Sequence, residues 1–219
     1  MNKMIKVNKN LVVFAISAFM LTVLSGCSSA PSAKPGSVLS APGTTTTVIL
    51  VRHAERAKEP GESALTPAGR QRAQDLVAAI GDREITAIYA PDRGRNRETV
   101  QPLATHLGVT ITLIPEARLS NTRRFADEFV QEVLSKHAGG MVIWVGNKSP
   151  IGIWGGNLKE IYQRLGGTGD APGKYDDLFI ITIPGQGSVQ VQKTTYGQSA
   201  GRFDQLANPQ SVGRRPFFA

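Results

Sequence analysis

The stretch Val48-Ile49-Leu50-Val51-Arg52-His53-Ala54-Glu55 joins four consecutive apolar residues, three of them β-branched, to an arginine and a histidine. A short apolar run of this kind is a buried strand. In an open α/β sheet, ligands bind just beyond the carboxyl ends of the strands. A guanidinium and an imidazole at that point can hold an anion and attack it. A strand end that merely carries two polar residues is the plainer alternative, so the rest of the chain has to decide.

Working outward toward the N-terminus, residues 1–10 are basic through Lys3, Lys6 and Lys9 and contain no acid. Residues 11–24 are apolar apart from Ser17 and Thr22. The run is too short for a comfortable membrane span and matches the core of a signal peptide. It ends in Leu24-Ser25-Gly26-Cys27, and Cys27 is the only cysteine of the 219 residues, which leaves no disulfide framework. Residues 28–45 are rich in Ser, Ala, Pro, Gly and Thr, a composition that cannot bury enough surface to order itself. The expected organisation is therefore a signal peptide over 1–26, a tether over 27–45, a domain over 46–195 and a basic tail over 196–219. Loss of Lys3, Lys6 and Lys9 with the leader takes the formal charge from +8 to +5.

Within the domain, strand and helix patterns alternate. Strands are expected at 48–51, 85–90, 110–114 and 141–145, with a hairpin-like pair at 178–183 and 188–194 around Pro184-Gly185-Gln186-Gly187. Thr66-Pro67 opens a helix that shows Ala73, Leu76, Val77 and Ile80 on one face and stops at Gly81. Further helices are expected at 96–107, 122–137 and 158–165. Repeated β-then-α units imply an α/β fold: a three-layer αβα sandwich around a mostly parallel sheet. His106 and His137 both fall at helix C-termini, where an imidazole complements the dipole. Trp144 and Trp154 are expected to pack, Trp154 close enough to line a pocket.

Parallel strands bring three loops to one rim. They carry Arg52 and His53, then Arg93, Arg95 and Arg97, then Asn147 and Lys148. Arginine forks around one imidazole suit a phosphoryl group, whose oxygens they match two at a time. The spacing of His53, His106 and His137 shows no metal-ligand pattern, and no motif calls for a cofactor. The arginines lack the interleaved aromatics of a nucleic-acid surface.

With those motifs in place, the domain resembles the histidine phosphatase superfamily, the phosphoglycerate mutase-like fold. Arg52-His53-Ala54-Glu55 looks like its opening motif, residues 65–73 resemble its next helix, and residues 88–99 resemble its arginine-bearing motif. The resemblance implies that His53 attacks phosphorus and carries the phosphoryl group until water releases it, while Arg52 and Arg95 bind the phosphoryl oxygens. A two-residue slip would give Arg93 or Arg97 the place of Arg95. The resemblance also implies an acid after the third strand. Glu116 is the nearest carboxylate, whereas another register puts Asn121 there and no acid at all. The family's second histidine is replaced by Asn147, a neutral donor of shorter reach, with Lys148 beside it. Losing one charge-assisted bond costs about 1.5–3 kcal/mol, a slowing of roughly ten- to a hundredfold or slightly more. The expected ligand is a phosphorylated small molecule or another anion, bound either by a weakened phosphatase or by an inactive anion-binding module.

The leader resembles the lipobox of bacterial lipoproteins. That implies cleavage before Cys27, lipidation of Cys27 and a membrane-tethered protein of the cell envelope, on the periplasmic face of the outer membrane if the source is Gram-negative, since Ser28 rather than an aspartate comes after the cysteine.

Overall fold

The computed structural model describes residues 38–57, 64–148 and 156–197. Cys27, the leader, Trp154 and the tail beyond position 197 lie outside the described residues. Among the described residues eleven elements occur in chain order: β1 (Thr45–Arg52), α1 (Pro67–Ile80), β2 (Ile85–Pro91), α2 (Gly94–Leu107), β3 (Ile111–Ile114), α3 (Glu116–Leu119), α4 (Thr122–Lys136), β4 (Met141–Gly146), α5 (Asn157–Arg164), β5 (Asp177–Pro184) and β6 (Gln190–Thr195).

The strands form one six-stranded sheet in the order β3-β2-β4-β1-β5-β6. β1 to β4 run parallel, while β5 runs antiparallel to β1 and β6 antiparallel to β5. Successive residues of a strand face opposite sides of the sheet, and β1 accordingly feeds two cores. Val48 and Leu50 point into one core with Phe125, Phe129 and Val133 of α4 and Leu158, Ile161 and Tyr162 of α5. Ile49 and Val51 point into the other, with Leu76 and Ile80 of α1 and Val100 and Leu103 of α2. Both faces are covered, which explains why the first strand reads as an unbroken apolar run rather than an alternating one. The result is the expected three-layer sandwich.

Two boundaries differ from expectation. β1 begins at Thr45, and chain contacts begin earlier still: Ser40 is buried, its N–H bonded to Pro184 O at 3.1 Å and its hydroxyl to Thr46 Oγ1 at 2.6 Å. Thr46 Oγ1 in turn accepts from Gly139 N–H at 3.0 Å. Polar side chains whose hydroxyls find partners can be buried, so residues 38–45 belong to the folded domain and not to a tether. At the other end Tyr196, assigned to the tail, is 2% exposed and packs with the α1–α2 core. The short α3 was not anticipated. His137 stands at the C-terminus of α4 as expected, as its C-cap, and its Nε2 in addition lies 2.8 Å from the Tyr89 hydroxyl. Burial lowers its pKa from the ordinary value, which favours the neutral imidazole there.

α1 explains how the loop after β1 is held. Thr66 caps the helix by accepting from Gly69 N–H at 3.1 Å, and its own N–H donates to Glu55 O at 2.9 Å. A Cβ at Gly69 would lie 2.1 Å from Glu55 O. Only glycine lets the first turn of α1 press this closely on the Arg52–Glu55 segment.

Candidate active site

β1 and β4 are in parallel register with Arg52 opposite Gly146, and His53 N–H donates to Gly146 O at 3.0 Å. The residue after β1 is therefore set beside Asn147, the residue after β4. A Cβ at Gly146 would fall 2.5 Å from both Asn157 Oδ1 and Leu158 Cγ. The strand end and α5 approach each other there with no room for a side chain.

His53 is 4% exposed. Its Nδ1 lies 2.8 Å from the carbonyl oxygen of Ala54. A carbonyl only accepts, so Nδ1 carries the proton and Nε2 holds the lone pair. Burial depresses the pKa from 6.5 to about 4; the Ala54 bond opposes that, while the charges of Arg95, Arg52 and Arg56 reinforce it. His53 is thus a neutral imidazole at any ordinary pH. The segment is braced by Thr99 of α2, whose hydroxyl accepts from Ala54 N–H at 2.9 Å and donates to Arg95 O at 2.7 Å.

The three arginines of the α2 loop separate cleanly. Arg93 pairs with Glu116 at 2.5 Å, and Arg97 pairs with Asp92 at 2.7 Å on the exposed side. Arg95 is buried and donates from Nε to Asn147 Oδ1 at 3.2 Å. Helix geometry accounts for Arg97, since residues two apart in a helix are turned about 200° from each other, whereas Arg93 precedes α2 as its N-cap, in extended conformation. Arg52 donates from Nη1 to Gly173 O at 2.7 Å, and its guanidinium carbon lies 4.0 Å from the centroid of the Tyr175 ring. The Tyr175 and His53 ring centroids are 5.7 Å apart.

Asn147 keeps its backbone N–H on Asn157 Oδ1 at 2.9 Å, an oxygen that also accepts from Trp144 Nε1 at 3.3 Å. Its own Oδ1 is taken by Arg95, which turns Nδ2 away as the remaining donor. Lys148 is exposed and extends over the turn at Gly173. Glu116 lies at the start of α3, exposed and engaged with Arg93, on the wall of a cavity of about 370 Å³ also lined by Leu119 and Ser120. Arg72 Nε donates to both Glu55 carboxylate oxygens, at 2.8 and 2.9 Å, and its Nη2 lies 2.7 Å from Oε1. Burial works to raise the Glu55 carboxyl, but the Arg72 bonds prevail and hold it below the ordinary carboxylate value. Among the described residues no three His, Cys, Asp or Glu side chains gather to hold a metal.

Arg52, His53, Arg95 and Asn147 therefore come together as one cluster, with Glu116 on the same rim of the sheet but tied to Arg93. Gly173 and Tyr175 were not anticipated. Their signal was the direction of β5: running antiparallel to β1, with Leu178 opposite Val51, it brings its entering loop to the rim where the parallel strands exit. Asn157 was also missed, since a polar residue opening a helix reads as a simple cap.

The sequence profile of the histidine phosphatase superfamily (branch 1) matches residues 48–169, more than half of the chain. A probable phosphoglycerate mutase GpmB of Erwinia tasmaniensis is 36% identical over 81 residues, which span 34% of this chain and only 38% of that protein. Among solved structures, mycobacterial hydrolase 2 superposes with a TM-score of 0.52 at 14% identity, covering 74% of this chain and 94% of its own. The protein histidine phosphatase SixA, solved with tungstate, gives 0.51 at 12% identity, covering 68% and 96% respectively. At these identities the two structures establish a shared fold.

Proposed function

The chain belongs to the histidine phosphatase superfamily, branch 1, and on that premise we propose that it is a phosphomonoesterase that carries the phosphoryl group on His53. The observation that carries this reading is the Nδ1–H bond to Ala54 O at 2.8 Å, which leaves the Nε2 lone pair of a buried imidazole as the nucleophile, within the field of Arg95 and Arg52. Nε2 attacks phosphorus as the bond to the leaving oxygen breaks, giving a phosphohistidine. Water then attacks phosphorus, the N–P bond breaks, and inorganic phosphate and the neutral imidazole are returned. Arg52 and Arg95 bear the charge on the three non-bridging oxygens, where most of the catalysis of phosphoryl transfer lies. Asn147 Nδ2 adds a neutral donor, and Lys148 adds positive charge at the rim. Glu116 is the group proposed to protonate the leaving oxygen, a role that requires Arg93 to release it and the carboxyl to take up a proton, which passes to the leaving oxygen and is replaced by one from the attacking water.

The substrate class is a phosphorylated small molecule, and a solved relative in fold binds tungstate, a phosphate mimic. The test is turnover of an aryl phosphate by the full chain in detergent. The parent is expected to turn over, and His53→Ala to fall to background. Equal rates in the two proteins would refute the proposal. A second reading is favoured by Asn147 in place of the family's second histidine: a non-catalytic anion-binding module. It predicts that inorganic phosphate binds equally well to parent and His53→Ala while neither turns over.

We also propose that the protein works tethered in the cell envelope by lipid on Cys27, from the Leu24-Ser25-Gly26-Cys27 motif behind an apolar leader. Incorporation of labelled palmitate that is lost in Cys27→Ser supports it, and equal labelling or none in the parent contradicts it.

A further inference from the structure

Tyr175 lies on the turn that enters β5, outside every motif that pointed to the site. The turn is fixed from within: Asp177 Oδ2 accepts from Gly173 N–H at 2.7 Å and from Lys174 N–H at 2.8 Å. So fixed, it offers two surfaces to Arg52, the Gly173 carbonyl at 2.7 Å from Nη1 and the Tyr175 ring 4.0 Å beneath the guanidinium carbon. The clamp therefore occupies one nitrogen and one face. What it leaves is the edge formed by Nε and Nη2, the edge that takes two oxygens side by side. Among the described residues the buried Nε of Arg52 has no acceptor. A buried N–H without a partner is unfavourable, and here a ligand oxygen would satisfy it.

We infer that Tyr175 is a positioning residue for Arg52, holding the Nε–Nη2 edge of the guanidinium toward the phosphoryl group. This rests on the phosphoryl-binding role proposed above for Arg52. An arginine side chain has about 2 kcal/mol of rotamer entropy to lose. A ring and a carbonyl that settle its orientation before substrate arrives reduce that loss at the moment of binding. The same ring borders His53, so one side chain sets the nucleophile and the cation against a common wall. The plainer role for Tyr175 is to fill space, and the two roles differ in what substitution they tolerate. A positioning role needs an aromatic face and not a hydroxyl, whereas a filler needs volume alone.

The test is calorimetric titration of inorganic phosphate into the full chain in detergent, for the parent, Tyr175→Phe, Tyr175→Leu and Arg52→Ala, with the thermal midpoint of each recorded. Tyr175→Leu is expected to weaken phosphate by roughly three- to thirtyfold, the span of a cation–π contact, at a midpoint matching that of Tyr175→Phe. Tyr175→Phe is expected to restore affinity to within about twofold of the parent. If Tyr175→Leu binds phosphate as tightly as Tyr175→Phe while Arg52→Ala has lost it, the positioning role is overturned and the phosphatase reading stands. If Arg52→Ala binds phosphate as well as the parent does, the phosphoryl-binding reading falls, and the positioning role with it.

Discussion

Replacing Asn147 by histidine exchanges the donor at the proposed phosphoryl site and also removes the Oδ1 that accepts from Arg95; the donor exchange sets the size of the expected gain. Asn147 Oδ1 accepts from Arg95 Nε at 3.2 Å, so only Nδ2 can donate to a phosphoryl oxygen. Its main chain is pinned by the 2.9 Å bond from its N–H to Asn157 Oδ1, so a new side chain starts from the same place. A neutral donor contributes about 0.5–1.5 kcal/mol and a charged one about 1.5–3 kcal/mol. The exchange is worth about 1–1.5 kcal/mol, or roughly five- to fifteenfold in rate. This is less than the loss of a whole charge-assisted bond, because the amide already supplies part of what the imidazolium would. The extra stabilisation needs a protonated ring, so the gain is largest below about pH 6.5 and fades above it. The assay is kcat for an aryl phosphate, for parent and Asn147→His, from about pH 5.5 to about pH 8. A folded variant no faster than the parent at any pH refutes the reasoning. A gain independent of pH refutes the part of it that rests on charge.

The same geometry sets the remaining expected outcomes. Because burial takes His53 from 6.5 to about 4, the acid limb of kcat/KM for the free protein lies near pH 4 once the substrate's own ionisation is corrected; a limb near 6.5 contradicts the buried neutral imidazole. The same depression means that stability is full above pH 6.5 and is lost as pH falls toward 4, by about 2 kcal/mol at pH 5. His137 adds a loss of the same sign, so denaturant titrations of His53→Asn against the parent isolate the His53 share. Gly69→Ala places a Cβ 2.1 Å from Glu55 O, with backbone on both sides, and costs about 1–3 kcal/mol or more with a parallel fall in turnover; unaltered stability by denaturant titration contradicts that packing. If Glu116 protonates the leaving group, Glu116→Gln lowers turnover of an alkyl phosphate by about 10²-fold or more and that of an aryl phosphate far less; equal effects on both substrates remove it from that role.

The sandwich was legible because burial on both faces leaves its mark in the chain. Val48 to Val51 must be apolar at every position, and helix stops such as Gly81 and Gly108 stand at the ends of periodic runs. Thr45 to Thr47 were not legible as strand, since a buried threonine looks polar until its hydroxyl finds a partner, as Thr46 does in Ser40 and Gly139. His53, Arg52 and Asn147 could be placed from strand ends alone. Arg95 could not be told from Arg93 and Arg97 without the start of α2, which fixes which of them faces inward. Tyr175 was hidden for a different reason. Its neighbours Arg52 and His53 are more than a hundred residues away, and only the antiparallel entry of β5 brings them together. Asn157 was hidden because the bonds it accepts, from Asn147 and Trp144, come from another element.

The most direct test of the whole account is rapid acid-free quench of the full chain with a phosphate-labelled aryl phosphate, then mapping of the label. The account predicts a base-stable, acid-labile phosphohistidine on the peptide containing His53, formed within the first turnover and absent from His53→Ala. Turnover of the parent above the His53→Ala background with no label on that peptide would contradict it.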